Sequence, residues 1–586
     1  MAKRSSKPRR AVLALFALVL IAPLAPAGAM PGETYRASIG RNGAQPNGPT
    51  PATSVNDTTS PQLSLDGLRM VFSSDASNLV TGDTNRVADV FLYDITTRTT
   101  ARVSVASNES QANGASHSPA ISVDGRYVAF VSEASNLVAG DTNGVADIFL
   151  RDRKRGTTVR VSVKTDGRQV SGASRNPQIS LFGRYVVFES EGVFTSSDTN
   201  GLSDAIIRDV ERRRTATIRP PADPPSRKLP NGQGDPSEAL LVKTWTSSPS
   251  ISYDGRFVAY TRGTFERAPA MPSSLDVMIF DRVERRHHKI TLAPWMGAAK
   301  QMLDNPRISA DGRYVAFEAW SVLDNAAGSD EALIPNPLDP KDVFLYDQIS
   351  RGIGQVSVNS FSQPGNGASY APSISAGGQF IAFTSEASNL VAGDTNGSPD
   401  AFVRDNVLRT TARMSLTAAH AQSSGGGTRP TISYEGRRVT FASEGRLGGG
   451  DSDAASDVYW RDRRTDVRNE APSFRALRAP RTINPLEETS FGLRARDPDG
   501  DPVRYGTLLV KPPRTTNLLG PDGLPPGASV APSGGTVRWT PNPDQAGTWT
   551  FIFWVDDPNG LGDFQAWEVM VRTVDQLLNC KASGAC

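Results

Sequence analysis

A phrase rich in carboxylate and amide side chains recurs in this chain and is the best candidate for chemistry. Its complete form is Asp-x-Asn-Gly-x-x-Asp, as in Asp141–Asp147. Ca²⁺ takes about six to eight oxygen ligands, and carboxylates at alternate positions of a loop can converge on one ion. The spacing therefore predicts calcium loops. The predicted ligands are Asp83, Asn85, Asp89, Asp141, Asn143, Asp147, Asp198, Asn200, Asp204, Asp394, Asn396, Asp400, Asp451, Asp453 and Asp457.

Two of these five loops depart from the complete phrase. Arg86 replaces the glycine of the first loop, and the last loop, around Asp453, lacks it. The loops also lack the distal glutamate of the EF-hand phrase. Because Asp and Asn side chains also cap turns by bonding their own backbone, a metal-free turn is the alternative. The same two alternatives apply to a C-terminal acidic cluster formed by Asp497, Asp499, Asp501, Asp556 and Asp557.

Composition narrows the other classes of function. The 586 residues include 63 Lys+Arg and 61 Asp+Glu, a balance that argues against a dedicated nucleic-acid binder. Four histidines without metal-ligand spacing and two cysteines leave little for zinc, iron–sulfur or thiol chemistry. The chain also lacks a Gly-x-Ser-x-Gly elbow. We predict no catalytic residues and no catalytic cofactor. Because carboxylates are plentiful, a polysaccharide lyase or glycosidase is the enzyme alternative.

An internal repeat supplies the elements that position the acidic loops. One copy divides into strands at Pro119–Val123, Tyr127–Ser132, Ile148–Leu150 and Thr157–Val163, with Asp124-Gly125 as the first hairpin turn. Such a sheet cannot bury both faces alone, whereas sheets stacked radially cover one another. The sequence therefore predicts an all-β, seven-bladed β-propeller at residues 33–468, with six or eight blades as alternatives. The phrase Pro-x-(Ile/Leu)-Ser marks the copies at Pro61, Pro119, Pro177, Pro249, Pro306, Pro372 and Pro430.

The N-terminal strand is predicted to close the propeller. The seventh copy lacks a convincing fourth strand, and Thr34–Ile39 matches the fourth-strand phrase Thr100–Val105. Pairing the first strand with the last sheet would remove exposed sheet edges.

Two stretches of the chain resemble known families. The phrases Pro119–Phe130 (PAISVDGRYVAF) and Asp147–Asp152 (DIFLRD) resemble the WD-repeat-like propellers of TolB-type and peptidase-associated proteins. This resemblance implies the fold and leaves the function open. Residues 469–575 include Asp497–Tyr505 (DPDGDPVRY) and Val537–Asp557, with Trp539, Trp549 and Trp554, and they are similar to bacterial Ig-like or cadherin-like modules. A β-sandwich is implied there.

The N-terminal segment indicates export, and export in turn bears on the two C-terminal cysteines. A basic stretch and the apolar run Ala11–Ala22 predict a signal peptide at residues 1–29. The apolar run is shorter than the ~20 residues that span a bilayer, which disfavours an uncleaved anchor. We therefore expect no membrane span after cleavage and a secreted, periplasmic or extracellular protein. In such a protein Cys580 and Cys586, in the tail 576–586, are expected to form a local disulfide, with free or intermolecular thiols as the alternative.

The predicted topology separates two faces. Loops between second and third strands are acidic and emerge on one face, whereas hairpins with Arg126, Arg184, Arg256 and Arg313 emerge on the other. These arginines either hold acidic envelope polymers or form a solvated rim paired with carboxylates such as Asp152 and Asp209. Together these patterns predict a noncatalytic, monomeric binding protein. It would present calcium-stabilised loops to a protein or glycan ligand at the cell envelope, without a nucleic-acid partner.

Overall fold

The computed structural model describes most of the chain after residue 32. The described residues are 33–51, 61–219, 243–265, 274–292, 300–323, 334–335, 340–463, 473–475, 479–496, 503–511, 524–556 and 562–583, apart from single residues 65, 197, 199, 449 and 454. The predicted signal peptide at 1–29 lies outside them, as do Asp497, Asp499, Asp501, Asp557 and Cys586. Among the described residues, no helix has the length and apolarity that crossing a membrane requires.

The repeats fold as successive antiparallel sheets whose strands follow chain order. In the first three repeats the strands are β2 (Gln62–Leu63), β3 (Arg69–Ser74), β4 (Asp89–Asp94), β5 (Thr99–Arg102), β6 (Ser116–Ile121), β7 (Tyr127–Ser132), β8 (Asp147–Asp152), β9 (Thr157–Arg160), β10 (Ser174–Ile179), β11 (Tyr185–Ser190), β12 (Asp204–Asp209) and β13 (Arg214–Ile218).

The fourth and fifth repeats are joined into one larger sheet by a parallel pairing of Leu275 with Met302. Their strands, with those of the sixth and seventh repeats, are β14 (Lys243–Ile251), β15 (Phe257–Phe265), β16 (Ser274–Asp281), β17 (Arg286–Lys289), β18 (Lys300–Ile308), β19 (Tyr314–Leu323), β20 (Ile334–Pro335), β21 (Asp342–Asp347), β22 (Ile353–Gln355), β23 (Ser369–Ile374), β24 (Phe380–Ser385), β25 (Asp400–Asp405), β26 (Thr410–Arg413), β27 (Thr428–Ile432), β28 (Arg438–Ser443) and β29 (Asp457–Asp462).

The first strand of the chain completes the last sheet, as the sequence predicts. Strand β1 (Thr34–Arg36) pairs antiparallel with β29, in the sheet order β1-β29-β28-β27. Tyr35 stacks on Trp460 with ring centroids 4.6 Å apart. The last repeat also contacts the first, because the Thr431 hydroxyl donates to the Pro61 carbonyl at 2.6 Å. The sheets therefore form a closed β-propeller.

The apolar core lies between neighbouring sheets. Second and third strands are buried on both faces, which explains near-continuous apolar runs such as Val128–Val131. Phe130 and Phe149 pair across one sheet with centroids 5.9 Å apart. The same core cluster contains Val71 and Val90 of the preceding repeat. Each sheet thus buries the face that its neighbour leaves uncovered.

Backbone hydrogen bonds join repeats two to seven near the propeller axis, at the turn after each first strand, and we call this series the backbone ring. The N–H of Val123 donates to the carbonyl of Leu181, and the N–H of Leu181 donates to the carbonyl of Tyr253. The series continues from Tyr253 to Ala310, Ala376 and Tyr434, with distances of 3.0–3.2 Å. Because each bond links one repeat to the next, these bonds hold the repeats together at this face of the propeller.

The C-terminal residues form an Ig-like sandwich of two main sheets, β31-β38-β37-β34 and β32-β36-β35. Buried Trp539 and Trp549 meet edge to face at 5.3 Å in its core. The elements are β30 (Ser473–Phe474), β31 (Thr482–Ile483), β32 (Thr489–Gly492), β33 (Ala495–Arg496), β34 (Arg504–Lys511), β35 (Ala528–Val530), β36 (Thr536–Trp539), β37 (Gly547–Asp556), β38 (Gly562–Val571) and helix α1 (Val574–Ser583), with a 3₁₀ turn at Pro543–Gln545. Another 3₁₀ turn, Arg41–Gly43, follows β1 in the propeller part of the chain.

Candidate functional site

An arginine bridges the two carboxylates of each predicted calcium loop. In the second repeat the Nη1 atom of Arg160 lies 3.0 Å from Asp141 Oδ1 and 3.4 Å from Asp147 Oδ2. Gln169 Nε2 donates to the same two carboxylates at 2.8 and 3.1 Å. Ser162 Oγ donates to Asp147 Oδ1 at 2.5 Å. The network therefore joins a loop, the third strand, the fourth strand and the connection to the next repeat.

The same arrangement recurs around the propeller. In the sixth repeat Arg413 Nη1 lies 3.3 Å from Asp394 and 3.1 Å from Asp400. In the last sheet, β1 supplies the arginine: Arg36 Nη1 is 3.2 Å from Asp457 and 3.8 Å from Asp451. The first and third repeats pair Arg102 with Asp83 and Asp89, and Arg219 with Asp198 and Asp204. All five predicted loops thus have an arginine counter-ion.

The predicted amide ligands bond protein groups instead of converging on one point. Asn143 Oδ1 accepts from the N–H of Val145 at 3.3 Å, and its Nδ2 donates to the Val170 carbonyl at 3.0 Å. Asn85, Asn200 and Asn396 make equivalent pairs of bonds. Asp453 Oδ1 accepts from the N–H of Ala455 at 2.9 Å. These are the turn-capping bonds that the sequence left as the alternative.

The charge balance of the loops supports a metal-free arrangement. Burial raises the pKa of Asp147, while the hydrogen bonds from Ser162 and Gln169 and the charge of Arg160 oppose that rise. In the residues that the structure describes, no group of three or more His, Cys, Asp or Glu side chains is placed to hold a metal ion. A Ca²⁺ ion between Asp141 and Asp147 would have to displace the guanidinium. The calcium loops stay a prediction, and arginine pairing is the arrangement that the contacts support.

Sequence reasoning missed the arginine and the glutamine of this network. Both had a periodic signal: Arg160 follows Asp147 by 13 residues and Gln169 follows it by 22. The same separations link Asp400 to Arg413 and Asp89 to Gln111. These constant separations are not apparent within the acidic phrase, because the arginine and the glutamine lie in other strands and loops.

The arginines of the opposite face form a paired rim. Arg126 donates to Asp152 through Nε and Nη2 at 2.9 and 2.7 Å, and it also covers the ring of Tyr127. Arg184 lies 3.1 Å from Asp209. Of the two predicted roles for these residues, the structure supports pairing with neighbouring carboxylates.

A cavity of about 340 Å³ occupies the central channel. Its wall is built from the first strands of the repeats, because their Pro-x-(Ile/Leu)-Ser phrases face the propeller axis. Tyr253 belongs both to the cavity wall and to the backbone ring. The polar wall residues include Gln62, Asn176, Gln178 and Asn305. This lining suits a polar ligand better than an apolar one.

Arg307 stands out in the cavity wall. Within the described part of the chain, its guanidinium forms no ion pair, and its recorded hydrogen bond runs from Nη1 to the adjacent Pro306 carbonyl at 3.1 Å. Burial lowers the pKa of Arg307, while the charges of Glu318 and Asp304 oppose the shift. Since an arginine has an ordinary pKa above 12, a partly buried one still carries its charge at neutral pH.

The carboxylates beside Arg307 accept hydrogen bonds from other protein groups. Glu318 accepts from Asn305 Nδ2 at 2.7 Å, from the Ala371 N–H at 2.8 Å and from Lys341 Nζ at 2.8 Å. Asp304 accepts from the Thr261 hydroxyl at 2.7 Å, and burial raises its pKa. The cavity therefore offers a cation whose charge is not matched by a contacting carboxylate.

The remaining predicted sites fall in the C-terminal part. Cys580 lies in α1. Its predicted partner Cys586 lies outside the described residues, so the pairing stays a prediction. Of the second acidic cluster, Asp556 ends β37, and the other four members lie outside the described residues.

Comparison with known proteins supports the C-terminal assignment. Residues 469–569 match a family model described as bacterial Ig domain. The comparison with curated proteins finds no match.

Several solved structures are similar to this chain at low sequence identity. A putative TolB from Agrobacterium tumefaciens is 13% identical, covers 63% of this chain and 96% of its own, and has a TM-score of 0.32. The Pseudomonas aeruginosa periplasmic gluconolactonase is 16% identical, with coverages of 60% and 82% and a TM-score of 0.31. The Pyrococcus horikoshii acylaminoacyl peptidase is 10% identical, with coverages of 76% and 58% and a TM-score of 0.38.

Proposed function

We propose that this protein is an exported, noncatalytic binding protein of the cell envelope. Its propeller takes an anionic group of a protein or glycan ligand into the central cavity. The acidic loops surround the cavity on the face opposite the paired arginines. The Ig-like domain acts as a spacer or second contact site, where a second weak contact adds to the first through effective concentration.

The observation that supports this proposal most directly is the state of Arg307. A guanidinium presents five donors in a fixed plane, and it matches a carboxylate or phosphate through two parallel hydrogen bonds. Among the described residues, the Arg307 guanidinium donates one hydrogen bond, to the Pro306 carbonyl. The carboxylates around it accept bonds from Thr261, Asn305 and Lys341, so among the described residues no carboxylate occupies the remaining donors of Arg307.

Rigidity of the cavity also favours a binding role. The wall strands are held by the backbone ring and by arginine–carboxylate networks in the loops. A preformed site loses less conformational entropy when a ligand binds, so more of the contact energy appears as affinity.

Binding of defined probes tests the proposal. We expect an oligogalacturonate and a poly-glutamate peptide to bind the full mature chain in calorimetry, and an uncharged maltohexaose to bind weakly or not at all. Arg307→Gln is expected to weaken binding of the acidic probe about 10- to 100-fold, because a charged hydrogen bond contributes about 1.5–3 kcal/mol. The control Arg168→Gln removes an exposed arginine that pairs with Asp166. Equal loss in both variants, or equal binding of charged and uncharged probes, would contradict the proposal.

The noncatalytic part of the proposal has its own test. Asp304 and Glu318 are the cavity carboxylates that a glycosidase or lyase would use, and each already accepts hydrogen bonds from protein groups. We expect no products when the protein is incubated with a panel of acidic and neutral polysaccharides. Products that disappear in Glu318→Gln would favour the enzyme alternative.

A further inference from the structure

A cluster of exposed apolar side chains lies on one arc of the propeller rim. The members are at the turns between the third and fourth strands of repeats four, five and six, or beside them. We call the set the apolar arc. It consists of Val283, Ile349, Phe361, Val407 and Leu408, which are 73, 75, 87, 69 and 66% exposed.

Equivalent positions elsewhere on the rim are polar. The second residue after the aspartate that ends the third strand is Val283, Ile349 or Val407 in the arc. In the first three repeats the same position holds Thr96, Lys154 and Glu211. The apolar character therefore belongs to three consecutive repeats and is not a property that the repeat imposes on every turn.

Contacts between repeats hold the turns of the arc next to one another. His288 in β17 bonds the Tyr346 hydroxyl of the next repeat at 2.8 Å, which brings the turns of repeats four and five together. The loop containing Phe361 packs on the sixth repeat, because the N–H of Thr411 donates to Ser360 Oγ at 3.0 Å. Phe361 is thus placed beside the turn that ends at Arg409.

Exposed arginines alternate with these apolar side chains. Arg285, Arg351 and Arg409 occupy the same turn position, each with φ between 53° and 57°, and all are exposed. Glu284 is the exposed carboxylate of these turns, and it pairs with Arg286 and Arg256. The arc is therefore basic as well as apolar.

We propose that the apolar arc docks on an anionic phospholipid surface. Its aliphatic and aromatic side chains stand singly at the tips of separate turns with arginines between them. That pattern suits insertion into a fluid interface, where apolar groups enter the acyl boundary and basic groups meet phosphates. A protein partner would instead require a continuous, closely packed apolar centre. Because these turns lie on the same face of the propeller as the backbone ring, docking would leave the face with the acidic loops directed away from the membrane.

Vesicle binding by the full mature chain tests this inference, which is independent of the ligand of the cavity. We expect sedimentation with vesicles of 30% phosphatidylglycerol in phosphatidylcholine, and at least about 10-fold weaker binding to phosphatidylcholine alone. Ile349→Ser with Leu408→Ser is expected to reduce binding about 10-fold or more. Arg351→Asn is expected to reduce it about 5-fold, the equivalent of about 1 kcal/mol for a basic side chain at an anionic surface.

Matched controls separate docking from general effects of substitution. Arg98→Asn removes the exposed arginine at the same left-handed turn position of the first repeat, and Val159→Ser changes a half-exposed side chain outside the arc. Asn tolerates a positive φ, so both arginine variants are expected to keep their turns and the wild-type melting temperature. No vesicle binding by the wild type, or equal loss in the control variants, would overturn the inference. Arc variants that change the oligomeric state but not vesicle binding would overturn it too, and would identify a contact between copies.

Discussion

Removal of one bridging arginine tests the interpretation of the acidic loops. Arg160→Met keeps the length and apolar stem of the side chain but removes the charge between Asp141 and Asp147. The side chains of Arg160 and Asp147 are 9% and 0% exposed, so the remaining carboxylate is left in a buried position. Breaking a buried ion pair by removing one partner costs about 3–5 kcal/mol. We expect the free energy of unfolding at neutral pH, measured by urea titration, to fall by about that amount.

The loss of stability caused by Arg160→Met is expected to depend on pH. Burial already raises the pKa of Asp147, and loss of Arg160 removes a charge that opposes that rise. A carboxyl group with a raised folded-state pKa binds more protons in the folded protein than in the unfolded one, so the stability falls as pH rises between the two pKa values. The destabilisation by Arg160→Met is therefore expected to be larger at pH 8 than at pH 4.5, where protonation removes the unpaired charge.

Urea titrations of the wild type, Arg160→Met and Arg168→Met at both pH values provide the measurement. Arg168 is 79% exposed and serves as the matched arginine outside the network. If Arg160→Met is as stable as the control, or if its loss of stability does not change with pH, the arginine does not balance the buried carboxylates. Partial rescue by Asp141→Asn in the Arg160→Met background would support this role of Arg160, because that change removes one of the two carboxylates.

Three further predictions concern the acidic loops, the closure of the propeller by β1 and the core of the Ig-like domain. Since arginine already supplies the counter-charge, we expect EDTA to leave the melting temperature of the mature protein unchanged in scanning fluorimetry; a fall that added Ca²⁺ restores would support calcium loops instead. Deletion of residues 33–37 exposes the edge of β29 and removes Arg36 from Asp457, so we expect lower thermal stability and higher-mass species in size-exclusion chromatography with light scattering, whereas a monomer of wild-type stability would contradict closure by β1. Trp549→Ala in the sandwich core is expected to cost about 3–5 kcal/mol, measured by chemical unfolding of the Ig-like domain, and an unchanged unfolding midpoint would contradict the proposed packing.

Local patterns were sufficient to predict the repeated strands. Alternating and continuous apolar runs, Asp-Gly turns and the recurring Pro-x-(Ile/Leu)-Ser phrase act over a few residues, so they are visible in one sequence. The match of Thr34–Ile39 to the other fourth strands even predicted the pairing of β1 with β29. The acidic phrase likewise identified loops that hold buried charge.

The partners of that charge depended on tertiary structure. Arg36 meets Asp457 across 421 residues of chain, and Arg160 meets Asp141 only because two strands and a loop converge. A carboxylate pair looks the same in sequence whether its counter-charge comes from Ca²⁺ or from a guanidinium. The arc of Val283, Ile349 and Leu408 was also invisible, because no short segment contains it. Strand formation is governed by neighbours along the chain, whereas counter-ions and surfaces are assembled from residues that only the closed ring brings together.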